Sequence, residues 1–221
     1  MSEFIGILQA EGRGGLVRPQ GHKDMDDIHI AAADIKGAPY GMLVAVELIS
    51  EADAGIVRGT IKEVLGDPGR PDVAMEGIMR QYGLSEEFPE AVLEEAKQLP
   101  AALSEEKIRE ELALGRRDLR ELRTMTIDGK DARDLDDAVS IREEERGEVR
   151  LWVHIADVSY YVKEDSPLDI EAYKRGNSVY LADRVLPMLP PKLSNGICSL
   201  NPGQARLAMT CELLFNKEVG G

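Results

Sequence analysis

Thr126-Ile-Asp-Gly-Lys-Asp-Ala-Arg-Asp-Leu-Asp-Asp137 crowds five carboxylates, Asp128, Asp131, Asp134, Asp136 and Asp137, into one short segment with only Lys130 and Arg133 to offset them. Two unit charges about 5 Å apart repel by roughly 3 kcal/mol at an effective dielectric of about 20, so carboxylates that converge oppose folding unless something neutralises them. A bound divalent cation is one neutraliser; splaying into water as a solvated loop is the other outcome. A calcium loop of the EF-hand type is excluded, because Gly129 precedes the cluster and the sixth position, counting Asp134 as the first, is Val139 rather than Glu. A helix is disfavoured by Gly129 and by the like charges of Asp131 and Asp134 at i, i+3.

The setting favours a strand-turn-strand corner. Met125-Thr126-Ile127 and Ala138-Val139-Ser140-Ile141 are short, apolar and β-prone, and would hold an acidic corner on a sheet edge. Along an extended chain Asp134 and Asp136 share one face and Asp137 takes the other, so the backbone must turn for Asp137 to join them. Asp128 must return from the preceding strand. Oxygen donors without His or Cys suit a hard cation, Mg²⁺ or Mn²⁺, rather than zinc.

Outward from this corner the chain reads as α+β. Residues 1–68 carry five short strand patterns, Phe4–Ala10, Leu16–Arg18, Ile28–Ala31, Met42–Ile49 and Ile56–Val64. Turns at Gly12–Gly15, Gly37–Pro39, Glu51–Asp53 and Gly66–Gly69 separate them, as in an OB-type barrel. Residues 69–123 switch to helical spacing: one helix opened by Pro71 with Val73, Met75, Ile78 and Met79 inward, a second from Pro89, and a third capped by Ser104. From 124 to 221 strands surround one helix that begins at Ser166-Pro167 and ends at Gly176. Val149, Leu151, Val153 and Ile155 alternate with Arg150, Trp152 and His154, which predicts a strand buried on its aliphatic face. Leu207, Met209, Cys211 and Leu213 line one face of a last strand, with Cys211 expected in the core.

At 221 residues with 43% apolar and 31% charged side chains, the chain is expected to be soluble and to build real cores. No apolar run approaches a membrane span, the N-terminus lacks a basic leader, and two distant cysteines make no disulfide framework, so a reducing cytoplasm and no membrane are expected. The net charge of −14 opposes phosphate binding, which depends on surplus Lys and Arg. Weak RNA affinity is therefore expected of this chain by itself. His154-Ile-Ala-Asp-Val-Ser159 contains triad residue types, but nothing in the sequence brings them together, and a structural role is expected.

The acidic segment, in the form Thr-Ile-Asp-Gly-x-Asp-Ala-Arg-Asp-x-Asp-Asp, resembles the catalytic signature of the ribonuclease II / ribonuclease R exoribonucleases. The likeness continues through Leu151–Val162, Arg175–Tyr180, Pro187–Pro190 and Leu193–Pro202. It implies a cold-shock-like OB domain over 1–68, a helical linker over 69–123, and the N-terminal part of a mixed α/β catalytic domain over 124–221. Family catalytic domains run further than residue 221, so the chain is expected to be a fragment with little activity alone. The resemblance also implies processive 3′→5′ hydrolysis of single-stranded RNA to nucleoside 5′-monophosphates with Mg²⁺, or Mn²⁺ in its place, and no obligate protein partner. Asp128 and Asp137 are then expected as direct metal ligands, Asp134 as a direct or water-bridged ligand, and Asp136 as the carboxylate that the chemical step can least spare. Tyr180 matches the family tyrosine that packs against the 3′ end of bound RNA. Ser194, Asn195 and Gly196 are expected to form a turn.

In the barrel, Gly15-Leu-Val-Arg-Pro19 stands where the family often has Gly-Phe-Val-x-Pro, so an aromatic is missing from the base-stacking surface. Phe4 and Tyr40 are the aromatics of this region, and Arg13, Arg18 and Lys23 its candidate phosphate contacts. Two readings stand beside the nuclease: a non-catalytic RNA-binding or scaffolding module of the same fold, and a phosphodiesterase acting on DNA or small nucleotides.

Overall fold

The computed structural model describes residues 3–22, 24–50 and 56–216, with Ser50 and Arg146 in their backbone alone. Lys23, the turn Glu51–Asp53 and the last five residues lie outside it. Two compact units result, residues 1–85 and 86–221.

The first unit is a closed five-stranded barrel, β1 (Glu3–Glu11), β2 (Gly14–Val17), β3 (Ile28–Ile30), β4 (Leu43–Ser50) and β5 (Arg58–Gly66), in the order β1-β2-β3-β5-β4 with β4 returning to β1. All pairs are antiparallel except β3 with β5. Alternation along these strands sends Leu8, Val17, Ile28, Ile30, Val44, Val46 and Ile61 inward, each 2% exposed or less, and closure leaves no open edge. Register shifts between β4 and β5 supply the bends that closure needs. Helix α1 (Pro71–Gln81), with Pro71 in its first turn, seats Val73 against Ile5, Leu43 and Ala45. Its inward residues are Val73, Gly77 and Met79, whereas Ile78, expected inside, is 41% exposed. Gly77 permits the approach: a Cβ there would lie 2.6 Å from Leu43 Cδ2.

In the second unit, α2 (Glu90–Gln98) packs on α5 (Pro167–Arg175), and Val92, Ala96, Tyr161, Leu168, Leu193, Ile197, Cys198 and Leu207 form the core. Helix α3 (Glu105–Ala113) starts where Ser104 Oγ accepts the Lys107 amide. Short α4 (Val158–Tyr161) and the hairpin β9 (Val179–Tyr180) with β10 (Val185–Leu186) complete the periphery. Leu193–Ile197 forms a wide helical turn containing Ser194, Asn195 and Gly196.

An antiparallel sheet runs β11 (Ala208–Phe215), β8 (Val149–Ala156), β7 (Asp137–Glu143), β6 (Thr124–Met125). Its burial reverses the sequence expectation. Trp152, His154 and Ala156 are buried, while Ile155 is 48% exposed and the aliphatic face of β8 is partly open. Pairing puts Ile141 and Leu213 opposite Leu151, and Met209 opposite Ile155, so the aliphatic residues of three strands share that open face. Cys211 belongs to it and is exposed, not a core residue. The physical reason lies on the other face, where hydrogen bonds and stacked cations bury polar side chains. Thr124 Oγ1 and Ser140 Oγ share a hydrogen bond of 2.8 Å, Ser140 Oγ lies 2.9 Å from His154 Nε2, and His154 Nδ1 lies 3.0 Å from Thr210 Oγ1. Trp152 is flanked by the guanidinium groups of Arg142 and Arg150.

Candidate active site

The acidic segment is the connection from β6 to β7. A turn closes at Ala132, whose amide donates to the Gly129 carbonyl at 3.0 Å, and the chain re-enters the sheet where the Ala156 amide donates to the Asp136 carbonyl at 2.9 Å. Asp137 is the first residue of β7 and stands opposite Ile155. The expected strand-turn-strand corner is thus formed, with β6 shorter than its sequence pattern.

Its electrostatics follow from this crowding. The Asp136 carboxyl keeps solvent contact, yet it is held above the ordinary carboxylate range, first by partial burial and then by the charges of Asp134, Asp137 and Asp128. The other three sequence-predicted carboxylates, Asp128, Asp134 and Asp137, therefore lie within electrostatic reach of Asp136. Among the described residues none of the four takes part in an ion pair, whereas Glu111, Asp157, Glu171 and Glu212 each meet an arginine. Among the described residues no three His, Cys, Asp or Glu side chains stand close enough to hold a metal ion. The cluster is an oxygen-only, uncompensated donor set that is not drawn together.

Tyr180 joins it. Its hydroxyl donates to Asp134 Oδ2 at 2.6 Å, which pushes the phenol up to about 12, with burial and the charges of Asp134 and Asp136 adding to the shift. Tyr180 as a whole is 66% exposed. Behind the cluster, the Cys198 thiol is raised to about 11 by burial, with Asp136 contributing, which makes it a poor nucleophile. No triad assembles: His154 bonds Ser140 and Thr210 and is held below its ordinary value by burial, while Asp157 accepts from Arg116 and Ser159.

A cavity of about 1220 Å³ opens between the polar face of the sheet and the segment from α3 to β6. Asp128, Gly129, Lys130, Ala132 and Leu135 form one wall, and Trp152, His154 and Thr210 another. In the barrel, Arg18 is engaged by Asp27 through two contacts of 2.8 Å, Phe4 packs edge-on to His22, and Tyr40 donates to the Gly14 carbonyl. Sequence reasoning assigned no role to Ser199, which the structure places against the acidic connection; a buried serine carries no periodic or compositional signal that would have marked it.

The chain is of the class that joins a closed five-stranded barrel to an antiparallel sheet with an acidic corner. The RNB domain profile matches residues 116–220 and the cold shock domain profile residues 16–89. The chain is 41% identical to ribonuclease R of Thermotoga maritima over 99% of its own length and 30% of the relative's. It is 45% identical to ribonuclease R of Escherichia coli over 98% of its length and 26% of the relative's. Among solved structures, Mycoplasma genitalium RNase R in complex with double-stranded RNA superposes with a TM-score of 0.78 at 28% identity, covering 98% of this chain and 37% of that one. The chain belongs to the ribonuclease II / ribonuclease R exoribonuclease family, and it spans less than a third of the length of these curated relatives.

Proposed function

We propose that Asp128, Asp134, Asp136 and Asp137 hold Mg²⁺, with Mn²⁺ as a substitute, for processive 3′→5′ hydrolysis of single-stranded RNA to nucleoside 5′-monophosphates by the whole protein. The observation that carries this reading is Asp136 crowded by the charges of Asp128, Asp134 and Asp137, none of the four in an ion pair among the described residues, with Tyr180 hydrogen-bonded to Asp134. A divalent ion bound there would activate water and stabilise charge on the scissile phosphate. In this reading Asp128 and Asp137 are direct ligands, and Asp134 is a direct or water-bridged ligand oriented by Tyr180. Asp136, whose carboxyl already resists ionisation, is the group that the chemical step least tolerates losing. The exposed side chain of Tyr180 offers the terminal base a stacking surface worth about 1–3 kcal/mol.

The barrel contributes less to base recognition. Phe4 and Tyr40 are engaged within it and Arg18 is neutralised by Asp27, which supports a packing role for this face. With a net charge of −14 the 221-residue chain alone has weak RNA affinity and little nuclease activity. Labelled single-stranded RNA with Mg²⁺ tests this, and brisk degradation by the isolated chain would contradict it. Cytoplasmic action is part of the proposal, supported by two cysteines that are both unpaired; no helix among the described residues is long and apolar enough to cross a membrane. In the full-length protein, Asp136→Asn abolishes turnover and leaves RNA binding near normal. Loss of binding in proportion to turnover would remove the assignment.

One observation favours the non-catalytic alternative: the carboxylates do not stand at ligating separation. Titration with Mn²⁺ separates the two, since a binding-only module has no reason to take up the ion at this corner.

A further inference from the structure

Asp134 is straddled by a single buried hydroxyl. Ser199 Oγ donates to the carbonyl of Arg133 at 2.7 Å and accepts the amide of Leu135 at 3.0 Å, and Ser199 is 0% exposed. The next residue adds a rung, with the Leu200 amide donating to the Leu135 carbonyl at 2.8 Å. The backbone on both sides of Asp134 is therefore tied to Ser199-Leu200. The support is itself rigid: Arg206 Nε donates to the Ser199 carbonyl at 2.8 Å and Arg206 Nη2 to the Gly196 carbonyl at 3.1 Å. Arg206 is partly buried and spends these bonds on carbonyls rather than on a carboxylate, so its work is done on the backbone.

We propose that Ser199, braced by Arg206, is a positioning residue that fixes the acidic connection so that Asp134 and Asp136 are presented to the divalent ion. The inference rests on the metal reading of the four carboxylates and deepens it. A hydroxyl suits the task because it both donates and accepts. Alanine loses both bonds, leaving the Arg133 carbonyl and the Leu135 amide without this partner, and the carboxylates must then be ordered at the moment of binding. Threonine adds a methyl to a site that is 0% exposed, and cysteine is a weaker donor.

The test compares the 221-residue chain with Ser199→Ala, using Mn²⁺ alone in calorimetric titration and amide hydrogen exchange at residues 133–137. Ser140→Ala is the comparator, since it also removes two hydrogen bonds from a buried serine of the same unit, but its partners are the side chains of Thr124 and His154 and not the backbone of the acidic connection. Ser199→Ala should exchange the Leu135 amide on the order of tenfold faster and bind Mn²⁺ about tenfold more weakly, while Ser140→Ala keeps Mn²⁺ affinity within about twofold. Equal weakening in both variants, or Mn²⁺ affinity unchanged in Ser199→Ala, overturns the positioning role. Wild-type chain that takes up no Mn²⁺ overturns the metal reading itself. If Ser199→Ala loses its folded amide spectrum, Ser199→Cys carries the same test: an affinity loss between wild type and tenfold supports the role, and wild-type affinity overturns it.

Discussion

The Tyr180 hydroxyl donates to Asp134 Oδ2 at 2.6 Å across 46 positions of sequence, joining the β9 hairpin to the acidic connection between β6 and β7. The bond orients a carboxylate that has no cationic partner among the described residues, and in return the carboxylate suppresses ionisation of the phenol. Phenolate absorbance followed through alkaline titration should therefore contain two groups that ionise at about pH 12, Tyr161 and Tyr180, and Tyr180→Phe should remove one of them. A variant that keeps the full amplitude at about pH 12 would show that the bond does not form in solution.

Asp136 gives a second test, run with chelator present so that no metal intervenes. The fold holds this carboxyl above its ordinary value of 3.8, so the protonated form is the one the folded state favours. Its contribution is whole below that value and is lost as pH rises through the higher folded value. Asp136→Asn should then raise the melting temperature at about pH 7 by about 1–3 °C, with the gain fading towards about pH 3. A variant less stable than wild type at neutral pH would contradict the repulsion.

Arg116 closes a charged cluster, with Nε on Glu111 Oε2 at 2.9 Å and Nη2 on Asp157 Oδ2 at 2.6 Å; both carboxylates are buried. Arg116→Met takes the arginine from both, leaving Glu111 with Lys107 and Tyr160 and Asp157 with Ser159, and should cost about 2–4 kcal/mol at neutral pH by urea unfolding. The Glu111 carboxyl is held below its ordinary range, first by the Tyr160 hydroxyl and then by Arg116 and Lys107. Its contribution in the wild type is present above about pH 4.5 and lost as pH falls through the folded value, so the penalty of Arg116→Met shrinks in acid. A penalty that does not vary with pH would show that lost packing, not charge, is responsible.

The two faces of the second sheet make opposite predictions. Trp152→Ala removes a ring that is 3% exposed and should cost about 3–5 kcal/mol, while Ile141→Thr alters a side chain that is 59% exposed and should cost about 0.5 kcal/mol or less. Comparable losses at the two positions would mean that the aliphatic face is covered in solution.

That reversal marks the limit of what was legible from sequence. Strand alternation in the barrel, the Pro71 and Ser104 helix starts, and the corner at Thr126–Asp137 are local signals, written in spacing and turn chemistry, and the structure carries all of them. Period-two alternation in β8 shows that two faces differ, but it cannot say which of them is buried. Here Ser140, His154 and Thr210 satisfy one another, and arginines stack on Trp152, so a face that reads as polar goes inside. At the site, the resemblance singled out Asp128, Asp134, Asp136, Asp137 and Tyr180. The structure brings Tyr180 onto Asp134 and the carboxylates within electrostatic reach of Asp136. Ser199 escaped because its role depends on two backbone groups more than sixty positions away, a relation that no local pattern encodes.

The most direct test of the central claim is the stoichiometry and location of Mn²⁺ on the 221-residue chain, read by electron paramagnetic resonance during titration and repeated on Asp134→Asn/Asp136→Asn. Saturable uptake by the wild type that the double variant loses is the predicted result. No uptake by the wild type, or uptake that the double variant retains in full, would contradict it.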